Sequence, residues 1–310
     1  MNRRDLIKRA ALLVPVLKSA TLFPQHKRPE IAFTFDDPRT DSSGGLVWQE
    51  INERILGALA KHRIKAVLFV TGKRADSDAG RSLIAAWDRA GHAVGNHSYS
   101  HFYFNNTEIG LAQFESDIVR DEPLIHDCRH FVRLFRFPYF KEGDTAEKRD
   151  GARSFLREHG YRIGRATIDA SDWAISGRLE KRMESDRKAD TARYGEFLKQ
   201  HIWERAQYYD SLGRRVLNHP VRHTVVLHHN VLNALFLDQL IALFVERGWK
   251  PIDAVHAYED PVYDLQPKTL PAGESLIWAL AKESGKFDKE LRYPGEDDIY
   301  ENPKMDALGL

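Results

Sequence analysis

From Ile31 onward, short apolar runs alternate with longer stretches of helical periodicity, and this alternation restricts the fold more than any other feature. The strand candidates are 31–35 (IAFTF), 65–71 (KAVLFVT), 92–96, 132–137 (VRLFRF), 161–168 (YRIGRATI), 223–228 (HTVVLH) and 249–254. Most are nearly continuous in apolar residues, the pattern of strands covered on both faces. Between the first two, Val47, Ile51, Ile55 and Leu59 recur every fourth residue and predict an amphipathic helix. Helical stretches also fit 80–90, 108–126, 146–159, 190–212 and 231–247. Gly91, Gly160 and Gly248 stand where three of these must stop before the next strand. Parallel strands need such crossovers, so the pattern predicts an α/β fold. Seven repeats favour a closed or nearly closed barrel of about seven parallel strands, with an open doubly wound sheet as the alternative.

Three regions follow. Residues 1–25 open with MNRRDLIKRAALLVPVL, in which Arg3-Arg4 and a short apolar run resemble a twin-arginine export signal. Export would place the working protein in the periplasm or at the cell surface. The run is too short to span a bilayer, and no integral membrane segment is expected in the mature chain. Residues 26–260 form the expected catalytic domain, with a charged insertion over 176–222 predicted to be a solvated helical pair flanking the site. Residues 261–310 are Pro-, Gly- and acid-rich around one helix-like stretch, SLIWALAKE, and are expected to pack on the barrel exterior. Lysine plus arginine (46) balances aspartate plus glutamate (45), so no global field attracts nucleic acid. The one cysteine, Cys128, excludes an internal disulfide and a Cys-rich metal site, and is expected within a helix.

In parallel α/β folds the loops at the carboxyl ends of strands converge into a site. Asp36 and Asp37 end the first strand, His97 ends the third, and His101 follows four residues on. Arg136 ends the fourth strand, Asp169 and Asp172 follow the fifth, His228 ends the sixth and His229 follows it. One carboxylate with two imidazoles suits a zinc-type divalent ion with a position left for water. The second carboxylate is then available to take that water's proton.

The motifs TFDD, HSYSH, RFPYF, DASDW and LHH occur in this order over about residues 30–256. On them the chain resembles the polysaccharide deacetylase family (carbohydrate esterase family 4), whose distorted (β/α) barrels remove acetyl groups from N-acetylated carbohydrate with one divalent ion. The resemblance implies that Asp36 is the general base and that Asp37, His97 and His101 bind the ion, Zn2+ with Co2+ or Ni2+ as alternatives. It implies that Arg136 holds the base and that the Tyr139 N–H supports the oxyanion. Asp172 would orient the acid, and Trp173 would form a pocket wall. The family pattern of leucine, any residue, histidine selects Leu227 for the acyl pocket and His229 over His228 as general acid. Leu227 and His229 also share one strand face. Two rivals are a small-amide or cyclic-imide hydrolase of the same fold and a non-catalytic carbohydrate-binding relative. The chain departs from the family at Pro38, where glycine is usual, and Pro38 is expected to hold Asp37 in an extended conformation.

Overall fold

In this computed structural model, residues 28–292, 298–299 and 301–310 are described; the expected export signal lies outside them. Nine strands are present among the described residues: β1 (Glu30–Asp36), β2 (Val67–Val70), β3 (Ala93–Asn96), β4 (Phe131–Phe135), β5 (Lys141–Gly143), β6 (Arg162–Ile163), β7 (Arg222–His228), β8 (Lys250–Pro251) and β9 (Ala272–Gly273). The helices are α1 (Trp48–Lys61), α2 (Gly72–Ala75), α3 (Asp78–Arg89), α4 (Leu111–Ile125), α5 (Ala146–Glu158), α6 (Asp172–Ser185), α7 (Ala192–Leu217), α8 (Val231–Glu246), α9 (Ala254–Ala257), α10 (Leu276–Ser284) and α11 (Glu301–Leu308).

The main sheet is parallel throughout and runs β6-β4-β3-β2-β1-β7, with β8 beside the start of β1. It curls until its edges meet. Beyond β6 the chain crosses to β7, where Ile168 bridges Val225 and accepts a hydrogen bond from Val226 at 3.2 Å. The result is the expected distorted barrel, closed at one seam by a single bridge. The predicted strand over 161–168 shrinks to two paired residues because the chain changes partner there, from β4 to β7. Gly164 marks the change: a Cβ at this position would lie 2.5 Å from the Phe69 ring.

Helix α1 buries Ile51, Ile55 and Leu59 completely, each contributing about 1.5–3 kcal/mol relative to exposure. Val47, counted in the same stripe, is instead the residue before the helix and is 52% exposed. Gly91, Gly160 and Gly248 all take φ of 75–80° directly after α3, α5 and α8. These left-handed turns are the stops predicted for them.

Two segments differ from expectation. The charged insertion is not a solvated pair: α7 buries Tyr194, Leu198, Ile202, Ala206, Tyr209 and Leu212. Its apolar stripe recurs at helical spacing among arginines and lysines, which mask it in the linear sequence. The tail is no exterior appendage either. α10 packs against α7, and Leu276, Ile277 and Met305 join the main core. Residues 272–273 of the tail also pair antiparallel with β5. Cys128 sits in the turn beyond α4 rather than in a helix, half-buried. No helix among the described residues is long and apolar enough to cross a membrane.

Candidate active site

The site begins with strand alternation. On β1, Thr34 and Asp36 share one face, and the register places them beside Val226 and His228 of β7. Phe35 and its neighbour Leu227 occupy the opposite face, where the Phe35 ring meets Trp87 of α3 at 5.4 Å. Leu227 is therefore buried against the helical layer and does not line the cleft, contrary to its expected place in the acyl pocket.

Adjacent aspartates on a strand would diverge, yet both face this site. Asp37 achieves it with φ of 57°, a left-handed conformation that breaks the alternation. The extended backbone expected ahead of Pro38 does not occur. Its side-chain contacts hold Asp37 in place: Thr71 Oγ1 donates to Oδ1, His101 Nε2 lies 3.5 Å from Oδ2, and Arg74 Nη2 lies 3.6 Å away. Burial opposes ionisation of Asp37, but His101, His97 and Arg74 outweigh it and hold the carboxyl well below the usual range.

Past β3, Ser98 and His101 also take positive φ, and this turn brings the two histidine rings to 5.0 Å. Asp37, His97 and His101 each present a ligand atom within 4.8 Å of the others, the one such cluster among the described residues. His97 Nδ1 lies 2.8 Å from the Arg136 carbonyl, which can only accept, so the proton resides there and Nε2 keeps its lone pair. Two neutral imidazoles and one carboxylate are a donor set that fits a zinc-type ion.

Asp36 is 2% exposed and pairs with Arg136 through Oδ1 at 2.7 Å. Arg136 is fixed in turn by donating to Gly164 O at 2.8 Å, Thr34 Oγ1 at 2.9 Å and Tyr258 OH at 2.9 Å. Its guanidinium also lies over the Phe69 ring, 4.1 Å from the centroid. Burial raises the Asp36 carboxyl and Arg136 lowers it again, leaving it at about 6. A carboxyl so placed exchanges protons near neutral pH.

At the other wall, Asp172 opens α6 and is fully buried. It accepts from His228 N at 2.9 Å, His228 Nδ1 at 2.8 Å, Asn230 Nδ2 at 2.9 Å and Asn233 Nδ2 at 2.7 Å. The carboxylate thus orients His228, a residue of the cleft lining, with the proton on Nδ1. The expected choice of His229 does not fit this geometry. His229 is 2% exposed, neither ring nitrogen has a hydrogen-bond partner, and its ring lies 6.5 Å from Trp87. Burial, with Arg39 nearby, pushes its pKa down to about 4, so it is not protonated near neutrality.

The cleft between these walls has a volume of about 370 Å³. Tyr139 and Trp173 both line it, 42% and 40% exposed, and Tyr139 takes φ of 54° with its ring 4.5 Å from His101. Asp169 stands behind the site, bonded to Arg205 and Tyr209. Sequence reasoning missed Thr71, Asn230, Asn233 and Tyr258. The asparagines carried a faint signal, since they closely follow the histidine pair in HHNVLN. Tyr258 carried none, because it reaches Arg136 across 122 residues of chain.

Known proteins resemble this chain over part of its length. The profile of the polysaccharide deacetylase family matches residues 24–164, a span holding TFDD, HSYSH and RFPYF. A peptidoglycan-N-acetylglucosamine deacetylase of Bacillus cereus is 26% identical over 149 residues, 48% of this chain and 48% of its own length. The match thus spans about half of that relative. Among solved structures, a mutant of BA3943 of Bacillus anthracis, a CE4-family pseudoenzyme with restored enzymatic activity, superposes with a TM-score of 0.52 at 21% identity. That likeness covers 74% of this chain and 68% of the other. The Bc1960 peptidoglycan N-acetylglucosamine deacetylase gives a TM-score of 0.50 at 18% identity, covering 75% and 89%. These structures share the fold.

Proposed function

From the relationship of residues 24–164 to the polysaccharide deacetylase family, we propose that this chain is a metal-dependent hydrolase of N-acetylated carbohydrate. It releases acetate from amino sugars of a cell-wall or exported glycan. One observation carries the reading. A base with its arginine (Asp36–Arg136), a ligand triad (Asp37, His97, His101) and an oriented histidine (Asp172–His228) converge around one cleft. The twin-arginine pattern near the amino terminus supports a substrate outside the cytoplasm.

A divalent ion at the triad would supply Lewis-acid polarisation of the acetamide carbonyl and a water of lowered pKa. Asp36 takes the proton from the attacking water, and Arg136 keeps its carboxylate in line. The peptide N–H of Tyr139 is suited to the oxygen that becomes negative as the carbonyl turns tetrahedral. His228, with Nδ1–H held by Asp172, delivers a proton from Nε2 to the departing amine. Trp173 and Tyr139 give the sugar ring two aromatic walls. Unlike an idle binding site, the cleft gathers several buried ionisable groups, which are expensive to desolvate without a chemical use.

The test is acetate release from N-acetylated chito-oligosaccharides, peptidoglycan and exopolysaccharide, before and after chelation and with ion restored. Release should vanish with the chelator and return with the ion. Absence of acetate from all three glycans, or release indifferent to the chelator, would sink the proposal.

A further inference from the structure

Behind the site, away from the cleft, a second group of ionisable residues is buried. Glu301 opens α11 and is 1% exposed although it carries a carboxylate. Its Oε2 accepts from Ser171 Oγ at 3.2 Å. Its Oε1 faces His201 Nδ1 at 3.2 Å and Arg205 Nη2 at 3.3 Å. The same His201 receives the backbone N–H of Ser171 on Nε2 at 3.0 Å. An amide can only donate, so Nε2 bears no proton and Nδ1 must, directed at Glu301. Arg205 completes the group by donating to Asp169 at 2.5 Å, and Tyr209 donates to the same carboxylate at 2.7 Å.

These partners all grip one turn, Asp169 to Ser171, and the next residue is Asp172. None of Glu301, His201 or Arg205 lines the cleft. Buried ionic groups of this kind stand or fall together, because losing one leaves the others desolvated and unpaired. We propose that Glu301 is a positioning residue: through His201, Ser171 and Arg205 it fixes the turn that sets Asp172, and through Asp172 the proton donor His228. The inference rests on the proposed deacetylation for its kinetic consequence. It makes the C-terminal segment, outside the matched family region, a working part of the site.

The experiment uses the full chain with Glu301→Ala, Glu301→Gln and Ser171→Ala, and Lys304→Ala as a control on the exposed side of the same helix. Glu301→Ala should lower kcat about tenfold with KM within about twofold, since a small displacement of an orienting group acts on chemistry rather than on binding. Glu301→Gln keeps an acceptor for His201 and should recover most of the loss, while Lys304→Ala should change nothing. Hydrogen exchange over residues 169–173 should rise in Glu301→Ala and, less, in Ser171→Ala. Unchanged kcat with unchanged exchange would overturn the proposal, as would an equal loss in Lys304→Ala. Should Glu301→Ala fail to fold, the Gln and Ser171 variants decide by the same criteria. If the wild-type chain releases no acetate, the deacetylase reading falls, and exchange alone still decides whether Glu301 holds the turn.

Discussion

The neighbouring histidines of β7 provide the sharpest test of the chemistry. His228→Gln removes the ring held 2.8 Å from Asp172. Asp172 keeps its bonds from the position-228 backbone N–H, Asn230 and Asn233, so the buried carboxylate is not stranded and the fold should survive. The loss then falls on proton delivery. Removing a general acid costs about 10²–10⁴ in rate, which is about 3–5 kcal/mol on the barrier. His229→Leu should behave oppositely. It deletes two buried nitrogens that have no partner and recovers about 1–3 kcal/mol of desolvation, set against some lost ring packing. The backbone N–H of residue 229, which donates to Asp36 O at 3.0 Å, is untouched. Its kcat should stay within about threefold of wild type, with a melting temperature shifted by a few degrees at most. Steady-state acetate release and thermal unfolding read both variants. Equal losses, or a larger loss in His229→Leu, would refute the assignment of proton transfer to His228.

Arg136→Met leaves Asp36 buried without its cation, so its carboxyl should rise above about 6 and the chain should lose about 3–5 kcal/mol, as when one partner of a buried pair is removed. Urea unfolding and the pH profile measure the two effects, and wild-type stability with an unmoved profile would contradict the pairing. For the wild type, Asp36 works only when ionised, so kcat/KM should fall as pH drops through about 6. The positive charge of a bound ion favours the carboxylate and can only move that midpoint lower; activity that is flat down to pH 4 would exclude Asp36 as base. Stability should also be acid-sensitive. His92 and His229 are held by burial at about 4, below the ordinary value of 6.5, so the unfolded chain binds more protons between those limits. Their contribution is complete above pH 6.5 and is lost as pH falls toward about 4, which urea unfolding at pH 7 and pH 5 would detect.

Much of the framework was legible because it rests on local patterns. Apolar runs marked β1, β2, β3 and β7, and three glycines marked helix ends, since both features depend on a few consecutive residues. Asp37, His97 and His101 were legible as candidate ligands by type and by position at strand ends, and the turns after β1 and β3 do bring them together. α7 was misjudged because charge dominates its composition while its buried stripe shows only at helical spacing. The conformation of Asp37 was misjudged because a following proline disfavours that backbone locally, and contacts with Thr71, His101 and Arg74 override the preference.

The sequence by itself determined a parallel α/β fold and a set of carboxylates and imidazoles at its strand ends. Residue order and chemical type are sufficient for both. The tertiary structure alone decided which of two adjacent histidines Asp172 orients, and that the C-terminal helix reaches the turn before Asp172. The first depends on the register between β1 and β7, and the second on a contact across 130 residues. Neither is a property of any short segment, because side-chain direction on a strand is fixed only once the strand has a partner.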